Sequence, residues 1–159
     1  MTKRSDLTEI RFYHLTATTL DRALPKILEK ALAGGQRAVV VAGSRERAKA
    51  LDGQLWTYDE RAFLPHGLAP ASGEDEFAAD QPIWLTTQVE NPNGAGLLVL
   101  VDGQTVDAPQ DWKLVCEIFD GNDEGAVAAA RARWKTLKDG GHDLAYWRQT
   151  EAGGWEKAG

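Results

Sequence analysis

The sequence predicts an α/β protein built on a mostly parallel sheet with helices on both faces. Three observations predict it. Short β-forming runs alternate with longer runs of helical period between Glu9 and Leu55. The connections between them are short, as β-α-β crossovers require. The run Arg37 to Ala42 is continuously apolar after its first residue, as in a strand covered on both sides.

In chain order, Glu9 to Leu15 alternates and is rich in β-formers, so it predicts a first strand. Leu20, Ala23, Leu24, Ile27, Leu28 and Ala31 recur at helical spacing. Pro25 sits early in that run and implies a helix start near Asp21 or a kink. Gly34-Gly35 stops the helix. The strand Arg37 to Ala42 follows, then a helix capped by Ser44 with Ala48, Leu51 and Leu55 on one side. Residues 65–82 read as a loop, because prolines, glycines and Glu74-Asp75-Glu76 interrupt any period. Ile83 to Thr86 predicts a third strand, Gly96 to Val101 a fourth after the turn Asn91 to Gly94, and Lys113 to Phe119 a fifth. A last helix is expected from about Asp123 to Lys138. His142 to Arg148 and Gly154 to Lys157 read as short terminal strands or an irregular tail from about residue 140.

A chain of 159 residues with 43% hydrophobic content buries a core without metal or disulfide staples. Cys116 is its one cysteine, which excludes an internal disulfide and a thiolate cluster. It lies mid-strand and reads as a small buried side chain rather than a nucleophile. Lys3 and Arg4 precede polar residues, and no apolar run approaches membrane length, so the expectation is a cytoplasmic protein with no membrane association. The net charge of −6 disfavours direct duplex binding, where phosphate neutralisation supplies affinity. Six tryptophans are many for this length and direct attention to interfaces as well as core.

The chemistry expected of an α/β nucleotide enzyme is missing from the sequence. The turn His14 to Leu20 has no glycine and Ala42 to Arg45 has one, so neither carries a dinucleotide fingerprint. No phosphate-binding G-x-x-x-x-G-K-[ST] loop and no G-x-S-x-G elbow occur. His14, His66 and His142 are far apart and none has helical metal-ligand spacing, so no metal site is expected. Asp123-Glu124 sits at a helix start, where the macrodipole favours acids in any case.

The last helix is the most informative segment. Val127 to Lys138 contains Arg131, Arg133, Lys135 and Lys138 and no acid, four positive charges in an acidic protein. On a helical wheel Leu137, Ala130, Trp134 and Val127 form an apolar stripe, with Lys138, Arg131 and Lys135 as a basic edge beside it. Arg133 points elsewhere. Such an edge suits a peptide that combines carboxylates with an apolar or aromatic end. The competing reading is a core tryptophan with basic residues that complement the helix dipole. A second cluster, Leu55-Trp56-Thr57 and Phe63-Leu64-Pro65-His66-Gly67, reads either as an aromatic interface or as a plug at the end of the core.

These residues together resemble the chi subunit family of bacterial DNA polymerase III. The resemblance rests on Phe12-Tyr13, Leu51-Asp52, Leu55-Trp56, Phe63-Leu64-Pro65-His66, Gln81-Pro82-Ile83, Ile118-Phe119-Asp120, Ala130-Arg131 and Arg133-Trp134-Lys135, in the same order over nearly the whole chain. It implies a single Rossmann-like domain over residues 1–159, without catalytic activity, cofactor or metal. It also implies an adaptor that binds the acidic C-terminal tail of single-stranded DNA-binding protein, which ends in Asp residues and Ile-Pro-Phe. The tail site would fall on Arg131, Trp134 and Lys135, with Lys138 attracting the acidic stretch. Val127 stands where familiar members carry a basic residue, Trp134 replaces a common tyrosine, and Asp120-Gly121 replaces an apolar position before the helix. Trp56, Phe63, Pro65 and His66 match the family's surface for the psi subunit, which leads to the clamp loader, or for an alternative helicase-like partner. DNA would be reached indirectly. Two other readings stay open on the residues alone: a Rossmann-like enzyme with a degenerate nucleotide site, and a peptide-binding module unrelated to replication.

Overall fold

The computed structural model describes residues 8–59, 64–70 and 77–159. Its strands are β1 (Glu9–Leu15), β2 (Ala38–Val41), β3 (Gly67–Leu68), β4 (Ile83–Thr86), β5 (Leu97–Leu100), β6 (Leu114–Asp120), β7 (Asp143–Gln149) and β8 (Trp155–Lys157). Its helices are α1 (Leu20–Ala33), α2 (Arg45–Thr57) and α3 (Glu124–Asp139). The strands form one sheet in the order β3-β4-β2-β5-β6-β1-β7-β8. Every pairing is parallel except that of β7 with β8. The predicted α/β class, with a mostly parallel sheet and helices on both faces, is the fold found.

Period-two alternation divides the central strands between two cores. Val40, Leu97, Val99, Cys116 and Ile118 face the α1 and α2 side, where Leu24, Leu28, Leu51 and Leu55 cover them. Val39, Val41, Leu98, Leu100, Val115 and Phe119 face the α3 side, where Ala130 packs. Each fully buried aliphatic side chain contributes about 1.5–3 kcal/mol relative to exposure, so the continuous apolar runs of β2 and β5 suit a sheet covered on both faces. Trp84 and Trp112 lie in the α3-side core, whereas Trp147 and Trp155 pack half-buried on the α1 side.

The helix ends follow local chemistry. Ser44 Oγ accepts the Arg47 N–H at 3.1 Å and caps α2 as expected. Thr19 makes no side-chain cap to α1. Buried Gln149 of β7 orders the turn before it instead: its Oε1 accepts the N–H groups of Thr16, Ala17 and Thr18 at 3.0–3.2 Å. α1 starts at Leu20 and contains Pro25, so the helix-start reading of that proline holds.

One element differs from expectation: the loop over 65–82 contains the edge strand β3, which is only two residues long and carries no readable period. Of the two readings of the C-terminal tail, strands are what is found: six residues of β7 pair in register with β1, and β8 pairs with β7.

Candidate functional site

The chain leaves β1 through α1 on one face and leaves the neighbouring β6 through α3 on the other. The switch point therefore lies between the carboxyl ends of β1 and β6, where doubly wound proteins bind nucleotides. A cavity of about 780 Å³ opens there. Asp21, Asp102, Asp120 and Asp123 line it, with Arg47 the one cation among its lining residues. Arg47 is paired with Asp102 at 3.2 Å. Four carboxylates against one engaged guanidinium make a poor phosphate site.

The basic helix builds a different site. Asp123 caps α3 by accepting the Ala126 N–H at Oδ1, 3.1 Å away. Its other end turns through Gly140 and Gly141, where Gly141 adopts φ +79° and the His142 N–H returns to the Leu137 carbonyl at 3.2 Å. This turn lays β7 beside β1 and under α3. Ala130 is fully buried against the sheet, and Val127, Trp134 and Leu137 pack around it.

Arg133, which the wheel places away from the basic edge, turns inward and forms an ion pair with buried Glu117 of β6. Burial pushes the Glu117 carboxyl above its ordinary range, and Arg133 opposes that rise. Arg131 and Lys138 remain outside with Trp134 between them. Trp134 meets Phe12 edge to face at a centroid distance of 5.4 Å and Tyr146 at 5.6 Å. Arg131, Trp134, Lys138, Tyr146 and Arg148, with the chain end at Ala158 and Gly159, line a groove of about 380 Å³, a size suited to a few side chains of a ligand. Among the described residues, Arg131, Lys138 and Arg148 have no carboxylate partner.

Beneath the groove, the Tyr146 hydroxyl lies 2.6 Å from His14 Nδ1. Burial pushes the His14 imidazole below its ordinary pKa. Arg148 and Arg131 push it further, and Asp120 opposes them. Burial raises the pKa of the Tyr146 hydroxyl, and Arg148 and Arg131 oppose that rise. Gly121 permits this arrangement: a Cβ there would lie 2.1 Å from the His14 ring and 2.5 Å from the Leu15 carbonyl oxygen.

The groove thus brings together Arg131, Trp134 and Lys138 from the sequence-derived set. Lys135 is exposed on α3 but does not line the groove, and Val127 is half-buried in the α3-side core. Sequence reasoning missed Tyr146 and Arg148. Their i, i+2 spacing on a strand is the one signal that places them on a common face.

At the second cluster, Trp56 on α2 is 49% exposed. Its ring lies 4.2 Å from that of His66. His66 itself is 5% exposed and so offers little surface to a partner. Its Nδ1 donates to the Leu64 carbonyl at 2.6 Å and its Nε2 lies 3.0 Å from Asp52 Oδ1. Pro65 is half-buried, and Phe63 lies outside the described residues.

The fold and site define a Rossmann-like α/β protein with a basic, aromatic-floored groove on the α3 face and a carboxylate-lined switch point. The chain belongs to the DNA polymerase III chi subunit (HolC) family, whose model matches residues 7–145. It is also similar to the probable DNA polymerase III subunit chi of Rickettsia prowazekii (strain Madrid E), with 30% identity over 93 residues. That match covers 58% of this chain and 54% of the relative, so the chain spans about half of the relative's length. The family resemblance read from the sequence is thereby shown. Among the described residues, no helix is long and apolar enough to cross a membrane.

Proposed function

We propose that this protein is a non-catalytic, cytoplasmic adaptor of the replisome that holds the acidic C-terminal tail of single-stranded DNA-binding protein in the α3–β7 groove. The observation that supports this most is the set of unpaired cations, Arg131 and Lys138, around the Trp134 wall. Burial of an apolar or aromatic tail residue against Trp134 supplies affinity, and Arg131 orients a carboxylate through its planar fork. Lys135 adds attraction from beside the groove. The carboxylates at the switch point argue against the alternative, an enzyme with a degenerate nucleotide site, because they repel phosphate. DNA is reached through the captured tail.

The Trp56 surface is the proposed site for the psi subunit or another link to the clamp loader. There His66 acts from below, holding the indole in place, with Pro65 alongside.

Titration with the peptide Asp-Asp-Ile-Pro-Phe tests the tail site. Arg131→Ala should weaken binding about tenfold or more, the scale of a lost charge-assisted hydrogen bond, while circular dichroism stays unchanged. Rising salt should weaken parent binding as well. Equal affinity of parent and variant rejects the assignment.

A further inference from the structure

Arg148 is a second free guanidinium on the same groove, supplied by a different element. It lies two residues beyond Tyr146 on β7, so both side chains project to the α3 side of the sheet. Arg131 comes from α3, so the two arginines approach the Trp134–Tyr146 floor from separate elements. Both are exposed, and among the described residues neither forms an ion pair with a carboxylate, with Gly159, the last residue, lining the same groove. Both line the groove beside Tyr146, whose hydroxyl reaches His14 beneath it. Two like charges held near one apolar floor repel each other until anions arrive. A ligand with one carboxylate pairs with one guanidinium and leaves the other unpaired, whereas one with two carboxylates flanking an apolar side chain pairs with both.

We infer that the groove is a two-carboxylate clamp in which Arg148 takes a carboxylate different from the one Arg131 takes. The inference rests on the peptide-binding reading of this groove and deepens it. The ligand it selects is an acidic segment with a free terminal carboxylate, an apolar or aromatic end residue and at least one acidic side chain. Arg148 is then a specificity-determining residue, because it separates such a segment from one whose terminus is blocked or whose acids are missing. The planar forks favour bidentate pairing, which a lysine in the same place would not reproduce.

The test uses Asp-Asp-Ile-Pro-Phe as the free acid and as the C-terminal amide, titrated into the parent, Arg131→Gln, Arg148→Gln and Arg148→Lys. Arg148→Gln should bind the free acid about tenfold more weakly than the parent. Amidation should cost the parent about tenfold as well. In one of the two glutamine variants that cost should disappear, since its partner is gone, and in the other it should persist. Arg148→Lys should recover less than half of the logarithmic loss.

Parent-like binding of both peptides by Arg148→Gln, alongside weakened binding by Arg131→Gln, overturns the clamp and leaves the tail site standing. Full recovery in Arg148→Lys reduces Arg148 to diffuse attraction and also overturns it. A parent that binds neither peptide removes both the clamp and the reading on which it rests.

Discussion

At the scale of single residues, His14 joins stability to the site. Its ordinary pKa is 6.5, and burial together with Arg148 and Arg131 lowers it in the fold. The unfolded chain therefore binds a proton at His14 over a pH range in which the folded chain does not. The resulting stability is fully present above the unfolded value and is lost as pH falls from about 6.5 through the lower folded value. Relative to His14→Gln, the parent should lose stability as pH drops from about 7.5 to about 5, by no more than about 1.4 kcal/mol per pH unit. Urea unfolding of both proteins across that range checks this, and a gap independent of pH would refute it. Cys116 shows a related effect without the site: burial pushes its thiol up to about 12, consistent with a packing role. Residue identity carried the centre of the groove well, because Arg131, Trp134 and Lys138 lie on one helix whose period is known in advance. Arg133 was separable from them for the same reason.

At the scale of elements, α3 depends on its cap. Asp123→Ala removes the Oδ1 acceptor for the Ala126 N–H and should cost about 1 kcal/mol in denaturant unfolding. Peptide affinity should be unchanged, since Arg131, Trp134 and Lys138 lie beyond the first turn. An unchanged unfolding midpoint would show that the cap contributes nothing. The elements that the sequence expressed clearly are those with a long or one-sided apolar pattern: β1, α1, β2, β5 and β6. β7 was harder to read because it lies one strand from the edge and its burial follows no clean alternation. Its place depends on pairing with β1, far away in the chain, and no local propensity encodes that register. Tyr146 and Arg148 were missed for this reason. Gln149 was missed likewise, since its three backbone partners belong to the β1–α1 turn.

For the whole molecule, the net charge of −6 is distributed unevenly. Carboxylates collect at the switch point, while cations collect on the outer side of α3. Arg133 pairs inside with Glu117, so the helix exposes fewer charges than its sequence contains. The groove and the Trp56 surface lie on opposite faces of the sheet, since α2 covers one face and α3 the other. The two sites should accordingly act independently. Trp56→Ala should reduce co-purification with the clamp loader while leaving the peptide Kd within about twofold, as expected for distant sites without shared partners. A matched loss at both sites would mean that the substitution disturbs the fold. One further consequence follows from the ends of the sheet. β3 presents two residues at one edge, and β8 presents three at the other, among them Glu156 and Lys157. Edges this short, one of them charged, give a foreign strand little unpaired backbone on which to add. The flanks of the sheet thus resist aggregation, whatever its two faces bind.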